Sequence, residues 1–227
     1  MEQQTYGEVF LIDKPYRWTS FDVVKKLRNA LKIKKVGHAG TLDPLATGLL
    51  IVCAGKQTKN IDSYQAQEKE YTGTMVLGKT TASFDLEREI EHVADPSHLG
   101  PESIQAAADT LTGDILQVPP MHSAIRKDGK RVYESARKGK TVELDPRPVR
   151  VSLFEITGVE LPQINFRIIC SKGTYIRSLA RDLGEKLGVG AYLSRLTRTR
   201  IGSYRLEDAW ELQDLISKIK AERNEDI

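Results

Sequence analysis

The chain has 227 residues, and its 34 Lys and Arg against 31 Asp and Glu give a net charge of +3. This length suits one large domain or two closely joined halves, because domains commonly hold about 100–200 residues. The 40% hydrophobic content is enough for a folded core. The near balance of charge means that composition alone does not indicate a nucleic-acid-binding protein.

The first half of the chain alternates strands and helices. A buried strand at residues 9–12 precedes a helix that Thr19 or Ser20 can cap. A helix at residues 56–67 and an alternating strand at residues 70–77 follow later. The apolar residues expected on one face of the first helix are Phe21, Val24, Leu27 and Leu31.

The second half continues the mixture, which predicts an α+β protein. The acidic stretch after Thr80 is expected to be a strand followed by a solvated surface loop. The remaining predicted elements are a helix from Pro101 that Gly113 stops, an irregular basic insertion at residues 121–148, strands at 149–161 and 163–171, a helix at 174–187, an alternating segment at 195–200 and a helix at 209–221.

Several classes of protein are disfavoured by simple counts. Cys53 and Cys170 lie in apolar runs and are expected to be reduced core residues of an intracellular protein. The four His form no ligand cluster, so no metal is predicted. No signal-peptide core and no apolar run of 18 residues is present, and a cytoplasmic protein without membrane contact is expected.

The most informative stretch is residues 37–50, where three glycines, Pro44 and two threonines surround Asp43 before an apolar run. Glycine permits backbone geometry and close approach that a Cβ would block, and Pro44 biases Asp43 away from helix. The pattern predicts a rigid loop that holds one carboxylate for chemistry and leads into a strand. The alternative is an ordinary turn in which Asp43 bonds to nearby amides.

This stretch resembles the catalytic signature of the TruB-type tRNA pseudouridine synthases. The matching residues are Gly37, His38, Gly40, Thr41, Leu42, Asp43, Pro44, Ala46 and Gly48. The resemblance runs from about residue 7 to about residue 202. Further segments that match in the same order are Lys14-Pro15, Lys69-Glu70-Tyr71, Leu77-Gly78, Pro119-Pro120, Ser123-Ala124 and Lys172-Gly173-Thr174-Tyr175-Ile176-Arg177.

The resemblance implies the pseudouridine-synthase fold, with a mixed, mainly antiparallel central sheet flanked by helices. It also implies an isomerase that converts uridine to pseudouridine at position 55 in the T-arm loop of tRNA. The reaction breaks the N1–C1′ bond and joins C5 to C1′ without net redox change, so no cofactor is expected. Asp43 is implied as the catalytic residue. Whether it attacks C6, attacks C1′ or removes a proton from C2′ stays open.

The resemblance also implies supporting residues for the site. Arg177 is expected to pair with Asp43 and offset its desolvation, the alternatives being a phosphate contact or a surface charge. Tyr71 is expected to stack on the flipped base, the alternative being a strand Tyr that faces the core. Tyr175 and Leu196 are weaker candidates for the walls of the pocket, since either side chain can instead fill the core.

Two basic segments separated by an acidic one predict a polarised surface that steers polyanions, and residues 119–150 and 195–200 are expected to contact RNA. Residues 121–150 carry nine Lys and Arg against four acids, and residues 172–200 carry seven against two, whereas residues 81–115 hold eight acids and one base. His38 is expected to act as a wedge or a phosphate contact. The remaining predicted RNA-binding residues are His122, Arg126, Lys127, Lys130, Arg131 and Arg198.

Two features depart from the family pattern and refine the expectations. The segment Leu196-Thr197-Arg198-Thr199 replaces the Leu-Arg-Arg-Thr of many relatives, which weakens one phosphate contact. The family usually carries a C-terminal PUA-type RNA-binding domain. Residues 1–227 are instead expected to form one catalytic domain without it, acting as a monomer on the T-arm stem-loop with no guide RNA.

Two other classes of function remain alternatives. A glycosidase or nucleotide hydrolase would need a second catalytic carboxylate near Asp43, and no motif supplies one. An RNA-binding or tRNA-folding module with a weak site would not need the combination of Asp43, Tyr71 and Arg177. Both alternatives are therefore disfavoured against the isomerase.

Overall fold

The computed structural model of the chain describes residues 7–121, 126–127, 130–131 and 144–225. These residues form two compact units: the first contains the residues up to Tyr71 and those from Leu196 onward, and the second contains residues 72–195. No helix within the described ranges is long and apolar enough to cross a membrane. The assignment of one catalytic domain stays a prediction.

The first unit is organised around strand β3 (Ala46–Ala54). β3 pairs antiparallel with β1 (Glu8–Lys14) and with β2 (Val36–Ala39). It pairs parallel with the end of β12 (Ala191–Ile201), where Leu196 lies opposite Ala46. Two short strands complete this part of the sheet, β13 (Tyr204–Arg205) against β12 and β14 (Trp210–Glu211) against β1.

Strand β3 is buried on both faces, which explains its continuous apolar sequence. Leu50 and Val52 face the cluster formed with helices α1 (Ser20–Leu31) and α5 (Leu212–Glu225). The intervening side chains Leu49, Ile51 and Cys53 face a second cluster that includes Ala39 and Ile201. A strand that is fixed from both sides is a rigid support for the loop that precedes it.

Helix α1 begins where the sequence predicts. Thr19 is the N-cap, and its hydroxyl accepts from the Asp22 N–H while the Asp22 carboxylate accepts from the Thr19 N–H at 3.0 Å. This reciprocal pair satisfies two amides at the helix start. The predicted inward position of Phe21 is wrong, because the helix buries Ser20, Val23, Val24 and Leu27 and leaves Phe21 60% exposed.

The boundaries of two other predicted segments also change. Residues 37–39 belong to strand β2, so the loop around Asp43 is confined to residues 40–45. The predicted helix at residues 56–67 is a 3-10 turn at Gly55–Asn60 followed by helix α2 (Ile61–Ala66). The first of these corrections leaves Asp43 in a tight connection between β2 and β3.

The second unit contains a sheet in the order β12, β4 (Lys69–Leu77), β11 (Gln163–Cys170), β10 (Arg147–Glu160) and β7 (Gly113–Gln117). β10 is antiparallel to both of its neighbours. The other elements of this unit are β5 (Lys79–Thr81), β6 (Ile90–His92), α3 (Pro101–Asp109) and α4 (Ile176–Lys186).

The predicted α+β class with a mainly antiparallel sheet is confirmed by these elements. Helix α3 ends at Asp109, and Gly113 instead begins strand β7, which the sequence analysis did not predict. Most of the basic insertion, including His122, lies outside the described residues. Its described part is a pair of short antiparallel strands, β8 (Arg126–Lys127) and β9 (Lys130–Arg131).

Candidate active site

The loop that carries Asp43 is held by its main chain. The Pro44 carbonyl accepts a hydrogen bond of 2.8 Å from the Arg17 N–H and one of 3.3 Å from Lys14 Nζ. The Ser20 hydroxyl donates to the Leu42 carbonyl at 3.2 Å and accepts from the Leu42 N–H at 2.9 Å. Anchors on both sides of Asp43 therefore fix the backbone from which its carboxylate projects.

Lys14 is a buried cation at this loop, with no exposed surface. Its ammonium group also donates to the carbonyls of Pro15 at 2.9 Å and Trp18 at 2.6 Å. Burial lowers the pKa of Lys14 to about 8, and attraction to the nearby Asp43 carboxylate opposes that shift. At neutral pH Lys14 is mostly protonated and places a positive charge near Asp43.

The lowered pKa of Lys14 predicts a pH-dependent term in stability. Between about pH 8 and 10.5 the folded protein holds fewer protons on Lys14 than the unfolded chain does, so this term increases the free energy of unfolding as pH rises. We expect the difference in that free energy, wild type minus Lys14→Met, to rise by at most about 1.4 kcal/mol per pH unit in this window.

Urea denaturation of both proteins from neutral to alkaline pH measures this difference. The exposed Lys59 provides the control, since wild type minus Lys59→Met should stay flat over the same window. A wild type minus Lys14→Met difference that is also flat would contradict the lowered pKa of Lys14.

Arg198 supports the opposite side of the same loop. Its guanidinium donates to the Leu49 carbonyl at 2.8 Å and to the Gly40 carbonyl at 3.1 Å. The residue is 1% exposed, so the predicted contact of Arg198 with an RNA phosphate is corrected to a structural role. Gly48 shows how close this packing is, because a Cβ there would lie 2.4 Å from the Arg198 carbonyl oxygen.

His38 lies on strand β2 just before the Asp43 loop. Burial and the positive charge of Arg198 lower the pKa of His38, against a smaller opposing effect of a hydrogen bond with the Gly40 backbone. The imidazole is therefore mainly neutral at neutral pH. A neutral imidazole has no charge to attract a phosphate, which favours the predicted role of His38 as a wedge over the predicted phosphate contact. Both roles stay predictions.

Tyr71 on β4 and Leu196 on β12 belong to the first unit and are 8% and 9% exposed. The same two strands are joined by a side-chain hydrogen bond of 2.9 Å from the Thr199 hydroxyl to the Glu70 carboxylate. The low exposure of Tyr71 fits a ring on which the flipped base stacks, and it fits equally the alternative that Tyr71 is a core residue. The base-stacking role of Tyr71 and the pocket-wall role of Leu196 stay predictions.

In the second unit Arg177 forms a buried ion pair with Asp85. Arg177 Nε lies 3.6 Å from Asp85 Oδ2, and the two side chains are 4% and 6% exposed. Asp85 Oδ1 also accepts hydrogen bonds from the Ser83 hydroxyl at 2.6 Å and from the Glu87 N–H at 3.0 Å. Charged partners and donors together offset the desolvation of a buried carboxylate.

Gln117 fixes the segment that leads into Arg177. The Gln117 side chain is 1% exposed, and its amide accepts from the Tyr175 N–H at 2.8 Å and donates to the Tyr175 carbonyl at 3.2 Å. Tyr175 stands at the start of helix α4. The predicted pair of Arg177 with Asp43 and the pocket role of Tyr175 stay predictions.

Four residues that support the candidate site were given no role there from the sequence. Lys14 and Ser20 contact the Asp43 loop, while Asp85 and Gln117 fix Arg177 and Tyr175. A signal existed for Asp85, because the polar residues Thr81, Ser83 and Asp85 alternate in sequence, and all three are buried while Ala82 is exposed and Phe84 half-buried. Among the described residues no group of His, Cys, Asp and Glu is arranged to hold a metal ion.

Comparison with known proteins identifies matching families along most of the chain. Residues 28–176 match the model of the TruB family pseudouridylate synthase N-terminal domain, and residues 177–226 match that of the tRNA pseudouridylate synthase B C-terminal domain. The tRNA pseudouridine synthase B of Flavobacterium johnsoniae is 49% identical over 218 residues, covering 93% of this chain and 95% of its own. That of Phocaeicola vulgatus is 48% identical, covering 97% of each chain.

Solved structures show the same fold. A chain of a Cbf5-Nop10-Gar1 complex aligns with a TM-score of 0.76 and 29% identity, covering 98% of this chain and 57% of its own. A chain of an H/ACA RNP bound to a substrate RNA containing 2′-deoxyuridine aligns with a TM-score of 0.73 and 28% identity, covering 98% and 56%. This chain thus spans little more than half the length of these structural relatives.

Proposed function

Because the chain belongs to the TruB family of pseudouridylate synthases, we propose that it isomerises uridine to pseudouridine in tRNA, at position 55 of the T-arm loop. The observation that carries this proposal is the rigid Asp43 loop in a chain that is nearly half identical to full-length tRNA pseudouridine synthases B. The Cbf5 chain, solved in a complex, is less similar to this chain than the tRNA enzymes are, which supports an enzyme that acts without a guide RNA.

Asp43 is the proposed catalytic residue. Asp43 is half-buried, within a loop whose backbone is anchored on both sides of it by Lys14, Arg17 and Ser20. Positioning of this kind lowers the entropic cost of bringing a reacting group onto its target. As nucleophile or base, Asp43 assists cleavage of the N1–C1′ bond; the base then turns, C5 bonds to C1′, C5 loses its proton and N1 gains one.

The uridine must leave the stack before Asp43 can reach it. We assign Tyr71 to stacking on the extruded base and Tyr175 and Leu196 to the walls around it, since aromatic and apolar contacts offset the cost of unstacking. Arg177 is proposed to pair with the Asp43 carboxylate and to offset its desolvation. His38 is proposed to fill, as a wedge, the space that the extruded base leaves in the RNA. The RNA-binding residues proposed from the basic insertion are His122, Arg126, Lys127, Lys130 and Arg131.

The direct test is incubation of the protein with unmodified tRNA, followed by carbodiimide treatment and primer extension. A reverse-transcription stop at position 55 that appears only with enzyme is the expected result. Stops at other uridines would overturn the assignment of the site. An RNA that is bound but never modified would favour the RNA-binding module instead.

The size of the recognised RNA is a separate prediction. The flipped uridine is an unstacked loop base, and the adjoining A-form stem is recognised by shape and phosphates. An isolated T-arm stem-loop should therefore be modified with kcat/KM within roughly tenfold of whole tRNA, or about 1.4 kcal/mol in transition-state binding. Parallel single-turnover assays of the isolated stem-loop and of whole tRNA test this prediction. A preference for whole tRNA far above tenfold would place essential contacts outside the T-arm.

A further inference from the structure

A surface beside the Asp43 loop is not used by any role assigned above. It consists of Tyr16, Arg17, Phe21, Lys25 and Lys26, at the turn before helix α1 and along its first two turns, and is called the α1 surface below. Tyr16 is 50% exposed and Phe21 is 60% exposed, and the three cations are exposed as well. Exposed aromatic rings interleaved with cations are typical of surfaces that bind single-stranded nucleic acid.

The α1 surface is fixed to the catalytic loop by short contacts. The N–H of Arg17 bonds to the carbonyl of Pro44, the residue after Asp43, at 2.8 Å. Ser20, which precedes Phe21, exchanges two hydrogen bonds with the backbone of Leu42, the residue before Asp43. The main chain that carries the α1 surface therefore lies against the main chain on both sides of Asp43.

The charge around this surface is strongly positive. Residues 16–35 hold seven Lys and Arg and one acid, Asp22, a local excess of six that exceeds the +5 of either basic segment noted from the sequence. The Asp22 carboxylate is engaged by Thr19, and hydrogen bonds with Thr19 are the main cause of its lowered pKa. The acid therefore serves the helix cap, while Arg17, Lys25 and Lys26 are exposed.

The cations and a tryptophan border an open groove. It has a volume of about 350 Å³ and is lined by Arg17, Trp18, Asp22, Lys25, Lys26 and Asn29. Phe21 and Lys25 are four residues apart, so they share a face of helix α1. A base on Phe21 would have its phosphate within reach of the lysines of this groove.

Arg17 has an unusual backbone conformation that supports a role for its side chain. Its φ is 65°, in the left-handed region where non-glycine residues are uncommon and strained. The guanidinium carbon lies 5.6 Å from the centre of the Tyr16 ring, a cation–π distance. This contact orients the guanidinium beside the ring while leaving both residues exposed.

We infer that the α1 surface binds the substrate RNA next to the flipped uridine, with an unstacked loop base on Phe21 or Tyr16 and phosphates on Arg17, Lys25 and Lys26. The inference rests on the proposed function for the identity of the RNA. A protein partner is less well matched, because the aromatic rings are separated by cations that such an interface would have to neutralise.

Two sets of variants test the aromatic and the cationic parts separately. Phe21→Ser removes the ring and Phe21→Trp retains an aromatic face. Lys25→Gln combined with Lys26→Gln removes two charges, and the matched control is Lys59→Gln combined with Lys220→Gln, which removes two charges from exposed lysines elsewhere in the same unit. All five positions are exposed, so we expect urea denaturation midpoints like that of the wild type.

Binding of a fluorescent T-arm stem-loop RNA is measured by anisotropy across a range of salt concentrations. Phe21→Ser should weaken binding at least about fivefold, and Phe21→Trp should restore it. The Lys25 and Lys26 double variant should flatten the slope of log affinity against log salt by about 0.7 for each phosphate that is no longer neutralised, so by up to about 1.4, while the control double variant leaves the slope unchanged.

The inference is overturned if Phe21→Ser and the Lys25 and Lys26 double variant bind the RNA with wild-type affinity and slope. Pseudouridine formation by the wild type, measured in parallel, keeps the two proposals distinguishable. Wild-type activity with unchanged binding in the variants rejects the α1 surface alone. Weakened binding in the variants of a protein that modifies no tRNA rejects the proposed reaction and retains the surface.

Discussion

Asp43→Asn should abolish pseudouridine formation while leaving the fold and RNA affinity nearly intact. The amide keeps the size and shape of the carboxylate but cannot act as nucleophile or base. Loss of such a group commonly costs at least about 10²–10⁴-fold in rate. The anchors from Lys14, Arg17 and Ser20 reach main-chain atoms of Leu42 and Pro44, so these hydrogen bonds do not depend on the Asp43 side chain.

The measurement is single-turnover release of tritium from C5 of uridine in tRNA, with affinity measured separately by filter binding. Asp62→Asn is the matched control, because Asp62 is an exposed Asp of the same unit and loses the same charge. It should turn over like the wild type. Turnover by Asp43→Asn above about 1% of the wild-type rate would reject Asp43 as the catalytic residue.

The sequence predicts those parts of the fold that depend on local patterns. The apolar run of β3 indicates a buried strand, and it is buried on both faces. Thr19 provides an N-cap for α1 because its hydroxyl and the Asp22 carboxylate are three residues apart. The glycines at 40 and 48 are expected to permit special backbone geometry, and both have positive φ, +88° and +100°.

Periodicity alone places Phe21 on the wrong side of its helix. Successive residues of a helix are turned by about 100°, so Phe21 points well away from Ser20, which is buried against the Asp43 loop. Four apolar residues at roughly helical spacing are compatible with more than one helix phase. The buried face consists of Val23, Val24 and Leu27 together with Ser20, and the partner of Ser20, Leu42, is 22 residues away and cannot be inferred from a local pattern.

Long-range contacts also explain the errors at the candidate site. Arg198 occurs in a basic segment of the sequence, but its guanidinium bonds to the carbonyls of Gly40 and Leu49, residues that are 158 and 149 positions earlier. Asp85 occurs in an acidic segment whose other acids, such as Glu87 and Glu89, are exposed. In both cases the pattern of charge along the chain does not show that this one residue is buried.

The buried pair of Asp85 and Arg177 predicts the second large effect, on stability. Asp85→Ala should lower the free energy of unfolding by about 3–5 kcal/mol, because removing one partner of a buried ion pair leaves the other charge poorly compensated. The hydrogen bonds from Ser83 and from the Glu87 N–H are lost as well. Urea denaturation at neutral pH measures the change.

The second unit contains its own control for this prediction. Asp114 and Arg150 form an ion pair with a distance of 2.9 Å, shorter than the 3.6 Å of the buried pair, but their side chains are 77% and 63% exposed. Exposed pairs contribute about 0–1 kcal/mol, so Asp114→Ala should change stability by no more than that. Burial rather than distance would then account for the larger cost at Asp85.

Asp85→Asn separates the two parts of that cost. The amide oxygen can still accept from the Ser83 hydroxyl and the Glu87 N–H, while the charge opposite Arg177 is gone. A destabilisation close to that of Asp85→Ala would show that the ion pair dominates, and a small one would assign most of the effect to the hydrogen bonds. If Asp85→Ala were as mild as Asp114→Ala, the buried position of Arg177 would not depend on Asp85, and the segment that carries Arg177 would have to be fixed by Gln117 and its bonds to Tyr175.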